Sequence, residues 1–284
     1  MLKKYRPFII TFYCLAAAAL VVAAFVDLKL DIALNNPQNV FARWFEATGE
    51  MPGKLLPTIA STVLFYAASR KWLKAFGLLA NLTGSVYMSV YHIQKYLFRE
   101  DLPVWVGVVY GIGVAAIALF VGQYIRIPEK LKKPLCVLAV TGIIVMFVEI
   151  GAVEAIKALW GRVRFRDLLK AGSYEAFTPW YHPNGINGNQ SFPSGHTGNA
   201  ALSFLMLLLP YVSEKWNKHR VWCFVIPFIF TAVLAFTRLV MGAHYLSDVT
   251  VGGTIGFTCC ILAMLVLEKK FFRTAALPAE EQAL

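Results

Sequence analysis

The sequence predicts an all-α fold, a polytopic bundle of about eight transmembrane helices. Three observations predict it. Hydrophobic residues fill 58% of the 284 positions and charged ones only 15%, too apolar a balance for a water-soluble domain. The apolar residues fall into runs near the length a helix needs to cross the hydrocarbon core, about 20 residues. Lys and Arg collect in every other connection between those runs, as they do in loops held on the cytoplasmic side.

In chain order the runs cover Pro7 to Val26, Leu55 to Ala68, Phe76 to Leu97, Val104 to Tyr124, Pro134 to Ile156, Thr197 to Val212, Val221 to Phe236 and Val249 to Leu267. The first follows a basic start but has no clear small-residue cleavage site, so it is expected to be a retained helix. The second is short. The third carries Asn81, Tyr87, Tyr91, His92, Gln94 and Lys95, which suits a helix packed inside a bundle better than one facing lipid. Pro227 interrupts the seventh and frees a carbonyl that a neighbour can satisfy.

Basic residues precede the first run (Lys3, Lys4, Arg6) and follow the second (Arg70, Lys71, Lys74), the fourth (Arg126, Lys130, Lys132, Lys133), the sixth (Lys215, Lys218, Arg220) and the eighth (Lys269, Lys270, Arg273). An even number of spans with both termini cytoplasmic accounts for this alternation. The net charge of +11 is therefore spread over short membrane-flanking loops and forms no stripe for nucleic acid. The five cysteines, Cys14, Cys136, Cys223, Cys259 and Cys260, all lie in apolar runs and offer no disulfide framework and no metal-ligand spacing. His92 reads as a polar residue of the bundle core and His219 as a surface residue.

One connection breaks the charge rule. The outward loop from 157 to 196 carries Lys157, Arg162, Arg164, Arg166 and Lys170, where orientation gives no reason for cations. An anionic ligand does. At the end of this loop Pro193-Ser194-Gly195-His196 opens the sixth run: Ser194 can cap the helix, the first free amides form an anion site, and Gly195 lets a ligand approach the backbone. A capping Ser and an interfacial His also occur on purely structural helices. Between the seventh and eighth runs lie Arg238, His244 and Asp248. Residues four apart share a helix face, so Asp248 can accept from one ring nitrogen of His244 and leave the other free. Glu149 and Glu154, upstream of Lys157, are placed to pair with the cations. The segment Phe177 to Pro183 reads either as a lid or as an aromatic anchor at the membrane interface.

Taken together, Lys157-x6-Arg164, Pro193-Ser194-Gly195-His196 and Thr237-Arg238-x5-His244-x3-Asp248 resemble the three-part signature of the type-two phosphatidic acid phosphatase, or lipid phosphate phosphatase, superfamily. The resemblance covers roughly 134–267. It implies a family core of six spans, so that eight runs include two extra N-terminal helices; the catalytic part falls in 134–268 with an outer active-site loop at 157–196, preceded by transmembrane helices in 1–133 and followed by a cytoplasmic tail at 269–284. It further implies hydrolysis of a membrane lipid phosphate or polyprenyl diphosphate at the outer face of a bacterial inner membrane, without cofactor or metal. His244 would attack phosphorus, oriented by Asp248. His196 would protonate the leaving oxygen, and Lys157, Arg164 and Arg238, with the amides of Ser194 and Gly195, would bind phosphate. Phosphotransfer to another lipid acceptor uses the same residues, and an anion or lipid transporter is the non-enzymatic alternative. Two positions depart from the signature. Thr237 replaces Ser and keeps the hydroxyl; Phe165 replaces Pro, removing the fixed φ after Arg164 and loosening the expected turn.

Overall fold

The computed structural model describes residues 2–93 and 103–269. Gln94, Lys95, the end of the third predicted span, Lys270, Arg273 and the rest of the predicted tail beyond Lys269 lie outside them. Among the described residues there is no strand. The helices are α1 (Leu2–Leu34), α2 (Val40–Thr48), α3 (Met51–Lys54), α4 (Leu56–Ala67), α5 (Lys71–His92), α6 (Val104–Gly122), α7 (Glu129–Trp160), α8 (Phe165–Ala171), α9 (Gly195–Ala201), α10 (Leu209–Val212), α11 (Trp222–Val240) and α12 (Leu246–Leu267). Every predicted run contains helix. Five described helical stretches, those containing α1, α6, α7, α11 and α12, are long and apolar enough to cross a membrane. The sixth run is not one uniform helix: after Ala201 it tightens into a 3₁₀ stretch, Leu202–Leu208, before α10.

The burial pattern is that of a protein solvated by lipid. On α1 the outward residues are apolar, with Phe25 77% and Val21 63% exposed, whereas Asp27 and Asp31 are buried. Hydrocarbon on the outside leaves the interior as the place where charge can find partners. The same inversion explains α5, whose buried positions Gly77, Asn81, Ser85 and Ser89 recur every fourth residue. Small and polar residues on one stripe let helices approach closely and bond across the contact. Asn81 donates to Thr62 Oγ1 at 2.7 Å, and Thr58 and Ser85 share a hydroxyl bond of 2.8 Å. Asn81 and His92 thus take the interior places expected of them, while Tyr87 and Tyr91 face outward.

The main apolar cluster joins α1, α7, the 3₁₀ stretch, α11 and α12 through residues such as Phe12, Phe204, Phe224 and Phe257. Phe12 stacks on Phe257 with ring centroids 3.9 Å apart. Helix α12 presses against α9 so closely that a Cβ on Gly252 would lie 2.2 Å from the Ser194 carbonyl oxygen. At one end of the bundle the Leu2 amide donates to Glu268 Oε2 at 3.0 Å, and the Tyr211 hydroxyl donates to the same oxygen at 3.3 Å. The start of α1 and the end of α12 therefore lie together, and the start of α12, with the predicted site residues, lies at the opposite end.

Candidate active site

Helix α7 ends at Gly161, whose φ of 56° is the left-handed C-cap conformation that glycine adopts without a Cβ penalty. The chain then turns so that Arg162 points into the bundle. Read from sequence with the anion-attracting cations, Arg162 is instead fully buried. It donates to Asp248 Oδ1 at 2.6 Å, Asp27 Oδ2 at 2.9 Å, Ser247 Oγ at 2.7 Å and the Thr178 carbonyl at 2.9 Å. Its guanidinium also lies 4.1 Å from the centroid of the Tyr245 ring. With its hydrogen bonds committed to protein, Arg162 has a structural place, and two carboxylates balance its charge.

Asp248 is correspondingly placed differently from the expected simple partner of His244. Besides Arg162 it accepts from Ser191 Oγ and from the Tyr245 amide, the latter at 3.1 Å. Its Oδ2 is 3.6 Å from His244 Nδ1, too long for a good hydrogen bond. The near partner of His244 is the Ser191 carbonyl, 2.7 Å from Nδ1. A carbonyl can only accept, so Nδ1 donates and Nε2 is left with its lone pair. Burial pushes the imidazole pKa down to about 4; Asp248 opposes the shift, and Arg164 and Arg238 reinforce it. At neutral pH the ring is therefore uncharged.

Ser194 caps α9, its Oγ accepting from the Thr197 amide at 3.4 Å, as the sequence predicts. Its own amide does not face a ligand. It donates to the Asp248 carbonyl at 2.9 Å, so the anion-binding backbone expected at Ser194 and Gly195 reduces to the amides beginning at Gly195. Lys157 reaches this turn: its Nζ lies 3.1 Å from where a Gly195 Cβ would be, and it pairs with Glu154 at 2.6 Å. Glu149 is buried on the same helix, next to Gly198.

Arg238 donates through Nη2 to Glu46 Oε1 at 2.8 Å, while its buried Nε and Nη1 have no partner among the described residues. Arg164 donates weakly to the Gln190 carbonyl at 3.5 Å, and its Nε is likewise unpaired. Guanidinium donors buried without acceptors are costly unless an anion meets them. The turn after Arg164 is not loose. Phe165 is buried against Leu168 and Tyr245, so packing fixes what a proline ring would have fixed. The segment after Phe177 is pinned: Trp180 Nε1 donates to the Leu20 carbonyl of α1 at 3.2 Å, and Trp160 Nε1 to the Trp180 carbonyl at 2.8 Å.

The structure thus brings His244, Asp248, Arg164, Arg238, Ser194, Gly195, His196 and Lys157 to one end of the bundle. It adds residues the sequence reading missed: Asp27 behind Arg162, Glu46 on Arg238, and Glu50, whose Oε1 is 3.2 Å from His196 Nδ1. The two acidic residues four apart near the end of an apolar helix, Asp27 and Asp31, were the available signal. Among the described residues no group of three or more His, Cys, Asp or Glu side chains is arranged to hold a metal ion.

Residues 133–272 match the model of the PAP2 superfamily. A phosphatidylglycerophosphatase B from Bacillus subtilis (strain 168) is 32% identical over 104 residues, 34% of this chain and 47% of the relative. The chain thus spans about half the length of that curated relative. No solved structure matches.

Proposed function

Because this chain belongs, through residues 133–272, to the PAP2 superfamily, we propose that it is an integral membrane phosphatase that hydrolyses a lipid phosphate or polyprenyl diphosphate through a phosphohistidine. The observation that carries the reading is the neutral, buried His244, held through Nδ1 by the Ser191 carbonyl, beside arginine donors that lack partners. The name of the Bacillus relative supports a glycerophospholipid phosphate as one candidate substrate.

In the proposed reaction Lys157, Arg164, Arg238 and the amides from Gly195 onward bind the phosphoryl oxygens and offset charge as it shifts in the transition state. The His244 Nε2 lone pair attacks phosphorus, the phosphorus bond to the lipid oxygen breaks, and His196 gives that oxygen a proton. Water then attacks the phosphohistidine, His196 takes its proton, and inorganic phosphate leaves with His244 restored. Asp248 holds the motif segments in register and stabilises the cationic ring during transfer. The positive charge a metal would supply is already provided by three side chains, so turnover is expected to persist in excess chelator. Basic loops at the end of the bundle that holds Leu2 and Glu268 support a site on the outer membrane face.

The test is phosphate release by purified protein in detergent from phosphatidic acid, phosphatidylglycerol phosphate and a polyprenyl diphosphate. His244→Ala should abolish release while retaining the wild-type thermal midpoint. Undiminished turnover by that variant sinks the proposal. His196→Ala should lose roughly 10² to 10⁴ in first-turnover rate on alkyl esters, the contribution of a general acid, and much less in the first-turnover release of p-nitrophenolate.

A further inference from the structure

We propose that Glu50 is the positioning residue of His196, gripping Nδ1 so that the proton delivered to the leaving oxygen sits on Nε2. The inference rests on the reading of His196 as the general acid. Glu50 lies outside the segment that matches the superfamily, so it ties the N-terminal half of the chain to the chemistry.

The geometry is built. Glu50 Oε1 lies 3.2 Å from His196 Nδ1, and both side chains are at most one-tenth exposed. Helix α3 is lodged directly on α9: a Cβ on Gly53 would fall 2.2 Å from Asn199 Oδ1 and 2.7 Å from the Asn199 carbonyl oxygen. Any larger residue there would push α3, and Glu50 with it, away from His196. Lys54, one turn along, forms an ion pair with Glu50, and its ammonium lies 3.9 Å from the centroid of the Tyr91 ring on α5. The carboxylate is held from its own helix and presented to the ring. Glu149, Glu154 and Lys157 on α7, Tyr87 and Tyr91 on α5, and Arg164 are among the described ionisable groups in electrostatic reach of this cluster.

The two histidines of the site are gripped by different acceptors, and the difference matches their proposed tasks. His244 leans on a neutral carbonyl, with the Asp248 carboxylate farther off at 3.6 Å, so the contact that fixes its tautomer carries no charge. A nucleophile needs that. His196 leans on a carboxylate, which fixes the same tautomer and sets a full negative charge beside the ring. A general acid needs that.

The experiment compares dioctanoyl phosphatidic acid with p-nitrophenyl phosphate, whose leaving group departs without a proton, using the full-length protein in detergent. Glu50→Gln should lower the first-turnover rate on phosphatidic acid roughly 10- to 100-fold, part of what a general acid supplies, with KM within about twofold and the first-turnover release of nitrophenolate, which precedes the water step that His196 also serves, within about threefold. Adding Glu50→Gln to His196→Ala should lower phosphatidic acid turnover by no more than about twofold beyond His196→Ala alone, since a residue acting only through His196 has nothing left to act on. Equal losses on the two esters, or an additive loss in the double variant, overturn the assignment while the wild type and inactive His244→Ala leave the phosphatase reading standing. A wild type that releases phosphate from neither ester overturns both. If Glu50→Gln does not fold, the same split in Glu50→Asp decides, since it keeps the charge on a shorter arm.

Discussion

Removing the Asp27 carboxylate from α1 should destabilise the whole bundle and disturb the site from behind. Arg162 is fully buried and faces two carboxylates, Asp27 at 2.9 Å and Asp248 at 2.6 Å. Asp27 also accepts from the Ser247 amide at 3.0 Å. Deleting one partner of a buried ion pair costs about 3 to 5 kcal/mol because the other charge is left uncompensated. Arg162 keeps Asp248 in Asp27→Ala, which places the loss near the lower figure, about 3 kcal/mol. With roughly 2 to 4 °C per kcal/mol for chains of this size, the thermal midpoint should fall by roughly 6 to 12 °C. Intrinsic fluorescence of the seven tryptophans reads the transition in detergent, and phosphate release should fall in parallel as Asp248 loses its anchor. Asp31 is the internal control. It is buried four residues away, and neither carboxylate oxygen has a partner among the described residues, so Asp31→Asn removes the carboxyl group without breaking a pair. A midpoint in Asp27→Ala within 2 °C of wild type, or an equal drop in Asp31→Asn, would refute the reasoning.

Two further outcomes are expected. The His244 ring should titrate near pH 4 in the folded protein, against about 6.5 for an unfolded chain; between those values the unfolded state binds more protons, so the stability His244 contributes is full above pH 6.5 and lost as pH falls through 4. An NMR titration of labelled histidine with a His244 midpoint near 6.5 would contradict this. Gly252→Ala places a Cβ 2.2 Å from the Ser194 carbonyl oxygen, a backbone atom that cannot yield without moving α9, and should cost about 1 to 3 kcal/mol together with most of the activity. Gly151→Ala, where a Cβ meets nothing within 4 Å, should leave both unchanged.

The membrane fold was legible because lipid imposes long apolar runs, and these are local in sequence. The grouping of the candidate site was legible where its residues sit on short spacings: His196 beside its capping Ser194, and Arg238, His244 and Asp248 within one turn region. Partners far apart in the chain were not. The Asp27 bond to Arg162 spans 135 positions and the Arg238 bond to Glu46 spans 192, and no periodicity announces such pairs. Arg162 was misplaced because a cation in a loop looks the same from sequence whether it faces solvent or turns inward after Gly161. The roles of Asp248 and the Ser194 amide shifted for a related reason. A spacing of four shows which side chains can meet, but not that backbone groups, the Ser191 and Asp248 carbonyls, take the bonds first.

The Asp27–Arg162 pair also sets an order of assembly. Helix α1 has 33 residues, about 50 Å at 1.5 Å per residue, longer than the hydrocarbon core of about 30 Å. The overhang lets Asp27 and Asp31 wait in the headgroup region rather than in oil. The guanidinium partner of Asp27 is synthesised 135 residues later, roughly 7 to 27 s at 5 to 20 residues per second. During that interval the Asp27 carboxylate lacks the guanidinium that receives it in the finished bundle. Only after α7 is made can Arg162 turn inward and close the pair, so a contact of the first helix made is completed late.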